Sequence, residues 1–268
     1  MTLTIAVKDF VRSREESLGS VVRAGKARYS IPLNQRPWSW TKPRLNEYWE
    51  DLQATAKKYY DPSSQPQPWR IRDSYIGNPH FVGAFVFVTE GTDYSVVDGQ
   101  QRLMATTMVV AALRDVACEL MNTTANPQLR SHLYSLVGQM NGWIEADGDP
   151  GEVRSRLLVD GEYRPLHEAL IVKPRNQSDR EGFVKALNLD LEELPHHKKL
   201  ISDFSHVRSI TSEYLDTLTE PDRFSAMVAF VNVLSDGFIC ISNTVEEESM
   251  AFEIFKCLNA KGMPLTEV

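Results

Sequence analysis

Cysteine, basic excess and long apolar runs are all scarce in this chain of 268 residues. Its three cysteines, Cys118, Cys240 and Cys257, stand apart in apolar or helical stretches, with no CxxC or Cys/His spacing. That layout argues against a zinc site and reads as buried thiols. No apolar run approaches the roughly 18 residues of a membrane span, and the N-terminus lacks the charged, apolar, small-residue order of a signal peptide. The expectation is a cytoplasmic protein with no membrane partner. A net charge of −7 and a pI near 5.5 exclude a general basic coat for nucleic acid. Charge is uneven, however: residues 1–44 carry nine Lys or Arg against three Asp or Glu. No fixed-period repeat and no low-complexity tract divides the chain. Its hydrophobic content, 42%, suffices for a substantial core in one large domain or two small ones.

What the sequence does have centres on Tyr94-Ser-Val-Val-Asp98-Gly99-Gln100-Gln101-Arg102-Leu103. Before it, Phe81 to Val88 and Tyr94 to Val97 are aromatic and β-branched, separated by the turn-forming Thr89 to Asp93, which predicts a β-hairpin. After it, Leu103, Thr106, Thr107, Val110, Leu113 and Ala117 recur at helical spacing, with no Pro or Gly from Gln100 to Met121. That predicts a buried helix. Asp98 to Arg102 therefore lie where a strand hands over to a helix, and free backbone N–H groups and the helix dipole favour an anion there. Gly99 lets a phosphate approach the backbone, Arg102 can hold it bidentately, and Asp98 can hold Mg²⁺ or orient a water. Gln100 and Gln101 can donate to phosphate or place a nucleophile. The same residues also fit an Asp-Gly turn before an ordinary helix, with Asp98 as a cap and Arg102 paired to a surface carboxylate.

Elsewhere, the charged segment Arg12 to Glu16 and Leu18 to Val22 suggest a short helix. The block from Tyr29 to Trp40 is extended, since Pro32 and Pro37 push the residues before them out of the α region. Within it, Arg36 has the amide of Gln35 beside it, and Trp38 and Trp40 can stack a base or pin a loop to the core. Thr41 is placed to cap a helix with Pro43 in its first turn and Leu45, Tyr48, Trp49 and Leu52 on its apolar face. The proline-rich stretch Asp61 to Pro68 reads as a loop, and the acidic turn Glu145 to Glu152 as solvated. His196-His197, at a helix start, has no further ligands at metal spacing. The second half is mainly helical, with short strands at Arg156 to Val159 and Phe238 to Ile241. A last helix over Glu246 to Leu258 turns Phe252, Phe255 and Leu258 inward and stops at the Gly262 cap, where Asn259 can present an amide to a ligand. The fold class is α+β, one compact unit with a helical extension.

Three ordered patterns carry a resemblance: Pro32-x-x-Gln35-Arg36-x-x-x-Trp40, then Gly83 with Val97 to Leu103, then Phe255-x-x-Leu258-Asn259-x-x-Gly262-x-x-Leu265-Thr266. From about Val21 to Val268 the chain resembles the GmrS-type family. That is the N-terminal domain of GmrSD-like type IV restriction endonucleases, with SspE-like phosphorothioate-sensing defence proteins as one branch. The resemblance implies a ParB/sulfiredoxin-like core with a small mixed sheet in residues 1–122, and a helical extension in residues 123–268 closing back on it. It implies an enzyme of bacterial anti-phage defence that hydrolyses a nucleoside triphosphate with Mg²⁺ and regulates a C-terminal HNH-type nuclease. No nuclease activity is expected of this segment alone. By position, Asp98, Gln100, Gln101 and Arg102 are the implied catalytic residues, with Asp98 the metal ligand. Gln35, Arg36, Gly99, Arg102 and Asn259 are implied to bind the nucleotide. The alternative is a non-catalytic reader of modified DNA, such as a phosphorothioate backbone, with Tyr29, Pro32, Trp38 and Arg36 as its contact wall. Two departures stand out: Asn34 occupies a position where the family more often has an aromatic residue, and the sequence stops at Val268 where the family continues into another helix. The expectation is a chain truncated before the nuclease domain.

Overall fold

Charged residues at an edge and apolar residues inside set the course of the chain. A computed structural model describes residues 11–23, 27–32, 37–63, 70–71, 79–146, 154–159, 161–174 and 176–260, with the backbone alone for 70–71 and 259–260. Strand β1 (Val11–Ser17) leads into α1 (Leu18–Val22), β2 (Tyr29–Ile31), α2 (Lys42–Tyr59) and the short pair β3 (Tyr60–Asp61) and β4 (Arg70–Ile71). The hairpin β5 (His80–Glu90) and β6 (Asp93–Asp98) feeds α3 (Gln100–Thr123), followed by α4 (Pro127–Ile144), β7 (Glu145–Ala146), β8 (Arg154–Ser155) and β9 (Leu157–Val159). Then come α5 (Tyr163–His167), a π-turn over Glu168–Val172, α6 (Gln177–Ala186), α7 (Pro195–Asp216) and α8 (Glu220–Asn232). A second π-turn over Val233–Gly237 leads into β10 (Phe238–Val245) and α9 (Glu248–Ala260). The class is α+β, with a largely helical C-terminal part.

Six strands form one mixed sheet in the order β1-β10-β5-β6-β2-β9. β5 and β6 are antiparallel, as the hairpin reading predicts, whereas β10 runs parallel to β5, and β2 runs parallel to both β6 and β9. Alternation along the strands sorts their side chains to two faces. Phe85, Phe87, Val96 and Tyr29 join the main core under α3, while Val86, Val88, Val97 and Val245 meet Ala251 of α9 on the other. α3 is apolar almost all round and correspondingly buried from Leu103 to Cys118, packed against α4, α7 and α8.

Three features depart from the sequence reading. Arg12 to Glu16 belong to β1 rather than to a helix; β1 pairs with β10 from Val11↔Val245 to Ser17↔Ile239. It lies at the end of the sheet order, where exposed charged side chains suit a strand and hide its periodicity. β10 runs four residues past Ile241, because its polar residues are satisfied: Ser242 Oγ donates to the Glu16 carboxylate, and Asn243 Nδ2 donates to Phe85 O at 3.2 Å. Leu258, expected inward, is 39% exposed. β10, from the second half, sits between β1 and β5, so the sheet takes strands from both sides of residue 122.

Charges also lie inside. Asp115, in the middle of α3, is fully buried with Arg180 Nη1 at 2.6 Å and Arg208 Nε at 3.7 Å. Arg114 Nη2 donates to Ile171 O and Pro174 O, both at 2.6 Å, and Arg180 Nε donates to Leu170 O at 2.7 Å. These arginines serve carbonyls at the end of the first π-turn, which a helix terminus leaves without internal partners.

His167 gives the fold a pH dependence. Burial holds its imidazole at about 4 instead of the ordinary 6.5, against the opposing pull of Glu168. Between those values the unfolded chain binds the proton and the folded chain does not. Stability is therefore fully present above about pH 6.5 and is lost as pH falls through 4, by on the order of 3 kcal/mol. Burial lowers His80 in the same sense, while Asp115, whose carboxyl burial raises, works in the opposite one. Urea titrations at pH 7, 5.5 and 4.5 should show a shallower acid loss in His167→Leu than in wild type. Parallel curves for the two proteins would remove His167 from this account.

Candidate functional site

Between the end of β6 at Asp98 and the start of α3 at Gln100 stands a single residue, Gly99. Its φ of +96° is left-handed, and a Cβ there would fall 2.1 Å from Cδ1 of Phe85. Only glycine lets the turn lie on that ring. Gly99→Ala should cost about 2–4 kcal/mol from left-handed strain plus the clash. A melting temperature within a degree or two of wild type would contradict that geometry. No side chain caps α3, and its first helical bond is Leu103 N to Gly99 O at 3.0 Å. The amides of Gln100, Gln101 and Arg102 precede that bond, so the positive end of a 24-residue helix is presented at the motif.

Arg102 folds back over this turn. Its guanidinium lies 5.0 Å from the Phe85 ring centroid, Nη2 donates to Ala84 O, and the same nitrogen is 3.4 Å from Asp98 Oδ2. Among the described residues its Nε has no hydrogen-bond partner. Burial pulls its pKa down and Asp98 opposes the shift; a guanidinium remains charged in either case. The two side chains are 19% and 31% exposed, so a cation and a carboxylate meet at a partly open surface. Thr106 Oγ1 donates to Arg102 O at 2.8 Å, and with its one proton so used it accepts from Tyr48 OH at 2.7 Å. Tyr48 thus props the first turn of α3 from α2.

The two glutamines lie beneath this surface: Gln100 is 5% exposed and Gln101 is 4% exposed. The Gln101 amide holds a neighbouring segment. Its Oε1 accepts from Ser39 N at 2.8 Å and Trp40 N at 3.4 Å, and its Nε2 donates to Pro37 O at 3.1 Å. Asp98 to Arg102 are thus brought together, with Gln101 turned toward the backbone of Pro37 to Trp40. Gln35 and Arg36 lie outside the described residues, as does the side chain of Asn259 in the last turn of α9. Of the expected DNA wall, Pro32 is half-buried, but Tyr29 and Trp38 are each 3% exposed. Tyr29 OH donates to Val21 O, and Trp38 Nε1 donates to Asp203 Oδ2 at 2.8 Å. Both aromatic side chains belong to the core, which leaves them no face for a DNA backbone.

Mg²⁺ commonly binds through one or two carboxylates together with substrate phosphates and water. Asp98 fits that role as a single, partly exposed carboxylate beside the helix start; no group of three or more acidic, His or Cys ligands occurs among the described residues. A metal here would arrive with a phosphate ligand. Lys199 and Asp203, which reach the same region from α7, were not singled out by spacing, since some 160 residues separate them from their partners. Thr106 does carry a signal in the sequence, since it stands one turn after Arg102 on the buried face of the helix.

A family model described as the GmrSD restriction endonuclease N-terminal domain matches residues 18–268. No curated protein matches the chain.

Proposed function

We propose that this chain, which belongs to the family of GmrSD restriction endonuclease N-terminal domains, binds and hydrolyses a nucleoside triphosphate at the start of α3. Family membership makes it a restriction, or defence, protein. The finer reading rests on one observation above all: an uncapped helix start behind a glycine that no other residue can replace without a clash, with Arg102 folded over it. Backbone amides at such a start suit phosphate oxygens, and an arginine beside them adds charge and direction.

In this reading the amides of Gln101 and Arg102 and the guanidinium of Arg102 hold the terminal phosphates. Asp98 would hold Mg²⁺, and the ion would supply neutralisation of phosphate charge. A water oxygen attacks the γ-phosphorus as the bond to the β–γ bridging oxygen breaks, and Arg102 meets the charge on the group in transit. Gln101 positions the site by holding the Pro37 to Trp40 segment. Hydrolysis would regulate a nuclease in response to DNA, with DNA as effector and nucleotide as substrate.

Phosphate release from each of the four nucleoside triphosphates, with Mg²⁺ and with chelator, tests the reading. Mg²⁺-dependent release is expected from wild type. Background release with every nucleotide, with and without DNA, would reject hydrolysis.

A further inference from the structure

The segment Pro37 to Trp40 is neither helix nor strand, yet it is held on two sides. On one side the Gln101 amide takes three of its backbone groups. On the other, α7 supplies an ion pair between a buried carboxylate and a partly exposed ammonium: Asp203 Oδ2 accepts from Trp38 Nε1 at 2.8 Å and from Lys199 Nζ at 2.5 Å. Lys199 Nζ also donates to Trp40 O at 2.5 Å. Asp203 is 3% exposed, and an ammonium and an indole N–H converge on one of its oxygens, as a buried carboxylate requires. Trp40 then packs against Tyr48, with ring centroids 5.8 Å apart, and Tyr48 props Thr106 and through it the Arg102 carbonyl.

We propose that Asp203, with Lys199, is a positioning residue for the Asp98 to Arg102 site. It acts through the Pro37 to Trp40 strap, which reaches the start of α3 by two routes, directly through Gln101 and through Trp40, Tyr48 and Thr106. The side-chain hydrogen bonds of the two α7 residues go to the strap and to each other. The pair joins the helical second half of the chain to the motif, so a displacement of α7 along its axis would move Gln101. Only the kinetic consequence rests on the nucleotide reading; the positional one stands without it.

The test is Asp203→Asn, with Asp203→Glu as the conservative variant and melting temperature recorded for each. Asparagine keeps an oxygen for the Trp38 indole but removes the charge that holds Lys199. Hydrogen exchange of the amides in 38–40 and 99–103 should speed up about tenfold in Asp203→Asn. The KM for the Mg²⁺ nucleotide should rise about tenfold with kcat within about threefold of wild type, and Asp203→Glu should lie closer to wild type in both. Wild-type exchange at 99–103 in Asp203→Asn would overturn the inference. So would a loss of activity that tracks the folded fraction with no change in KM. If wild type shows no turnover at all, the nucleotide reading falls and the exchange at 99–103 decides the positional inference alone.

Discussion

Arg102→Ala is expected to lower nucleoside triphosphate hydrolysis by about 10²–10³-fold, since it removes the guanidinium folded over the start of α3. The fold should survive. The side chain contributes a cation–π contact to Phe85 and a hydrogen bond to Ala84 O, together worth about 2 kcal/mol. Asp98, 31% exposed, can be hydrated once its partner is gone. Arg102→Lys is the informative companion. It keeps one charge but not the planar fork, so turnover between the two extremes is the expected result. Equal turnover in wild type and Arg102→Ala, measured by phosphate release on proteins of matched melting temperature, would remove Arg102 from the chemistry.

Asp115→Ala carries the largest expected effect on stability. Its carboxylate is fully buried, with Arg180 Nη1 at 2.6 Å and Arg208 Nε at 3.7 Å. Truncation leaves the Arg180 guanidinium, itself buried and packed 4.3 Å from the Phe204 ring centroid, without its counter-charge. Breaking a buried pair on one side costs about 3–5 kcal/mol, which lowers the melting temperature by roughly 10 °C in a chain of this size. Arg208→Leu should cost less, because Arg208 is 19% exposed and keeps the shared carboxylate paired to Arg180. Chemical denaturation of the two variants gives the ranking, and a loss below about 1 kcal/mol for Asp115→Ala would mean that the pair is dispensable.

Much of the site's scaffold is legible in the sequence. β-Branched and aromatic runs around Thr89 to Asp93 marked the hairpin, and the unbroken 3.6-residue period after Gln100 marked α3. Asp98-Gly99 marked the handover between them, and the glycine's φ of +96° supplies the physical reason. What stayed hidden has equally specific causes. β1 carries its charges at a sheet edge, where no apolar alternation is needed, and β10 hides two satisfied polar residues in its second half. Arg114 and Asp115 interrupt an apolar helix, and nothing local says that their partners come from α6, α7 and a π-turn. Tyr29 and Trp38 illustrate the other limit. An aromatic residue in an extended segment fits a ligand wall and a core equally well, and here hydrogen bonds to Val21 O and to Asp203, 165 residues away in the Trp38 case, fix them inside.

The central claim is that the start of α3 holds a triphosphate, and calorimetric binding of a non-hydrolysable nucleoside triphosphate with Mg²⁺, combined with amide exchange on the same samples, tests it most directly. Saturable binding at one site is expected, with slower exchange across Gly99 to Arg102 on binding and loss of both in Arg102→Ala. Undiminished binding by Arg102→Ala, or protection that falls elsewhere in the chain and leaves Gly99 to Arg102 unchanged, would contradict it.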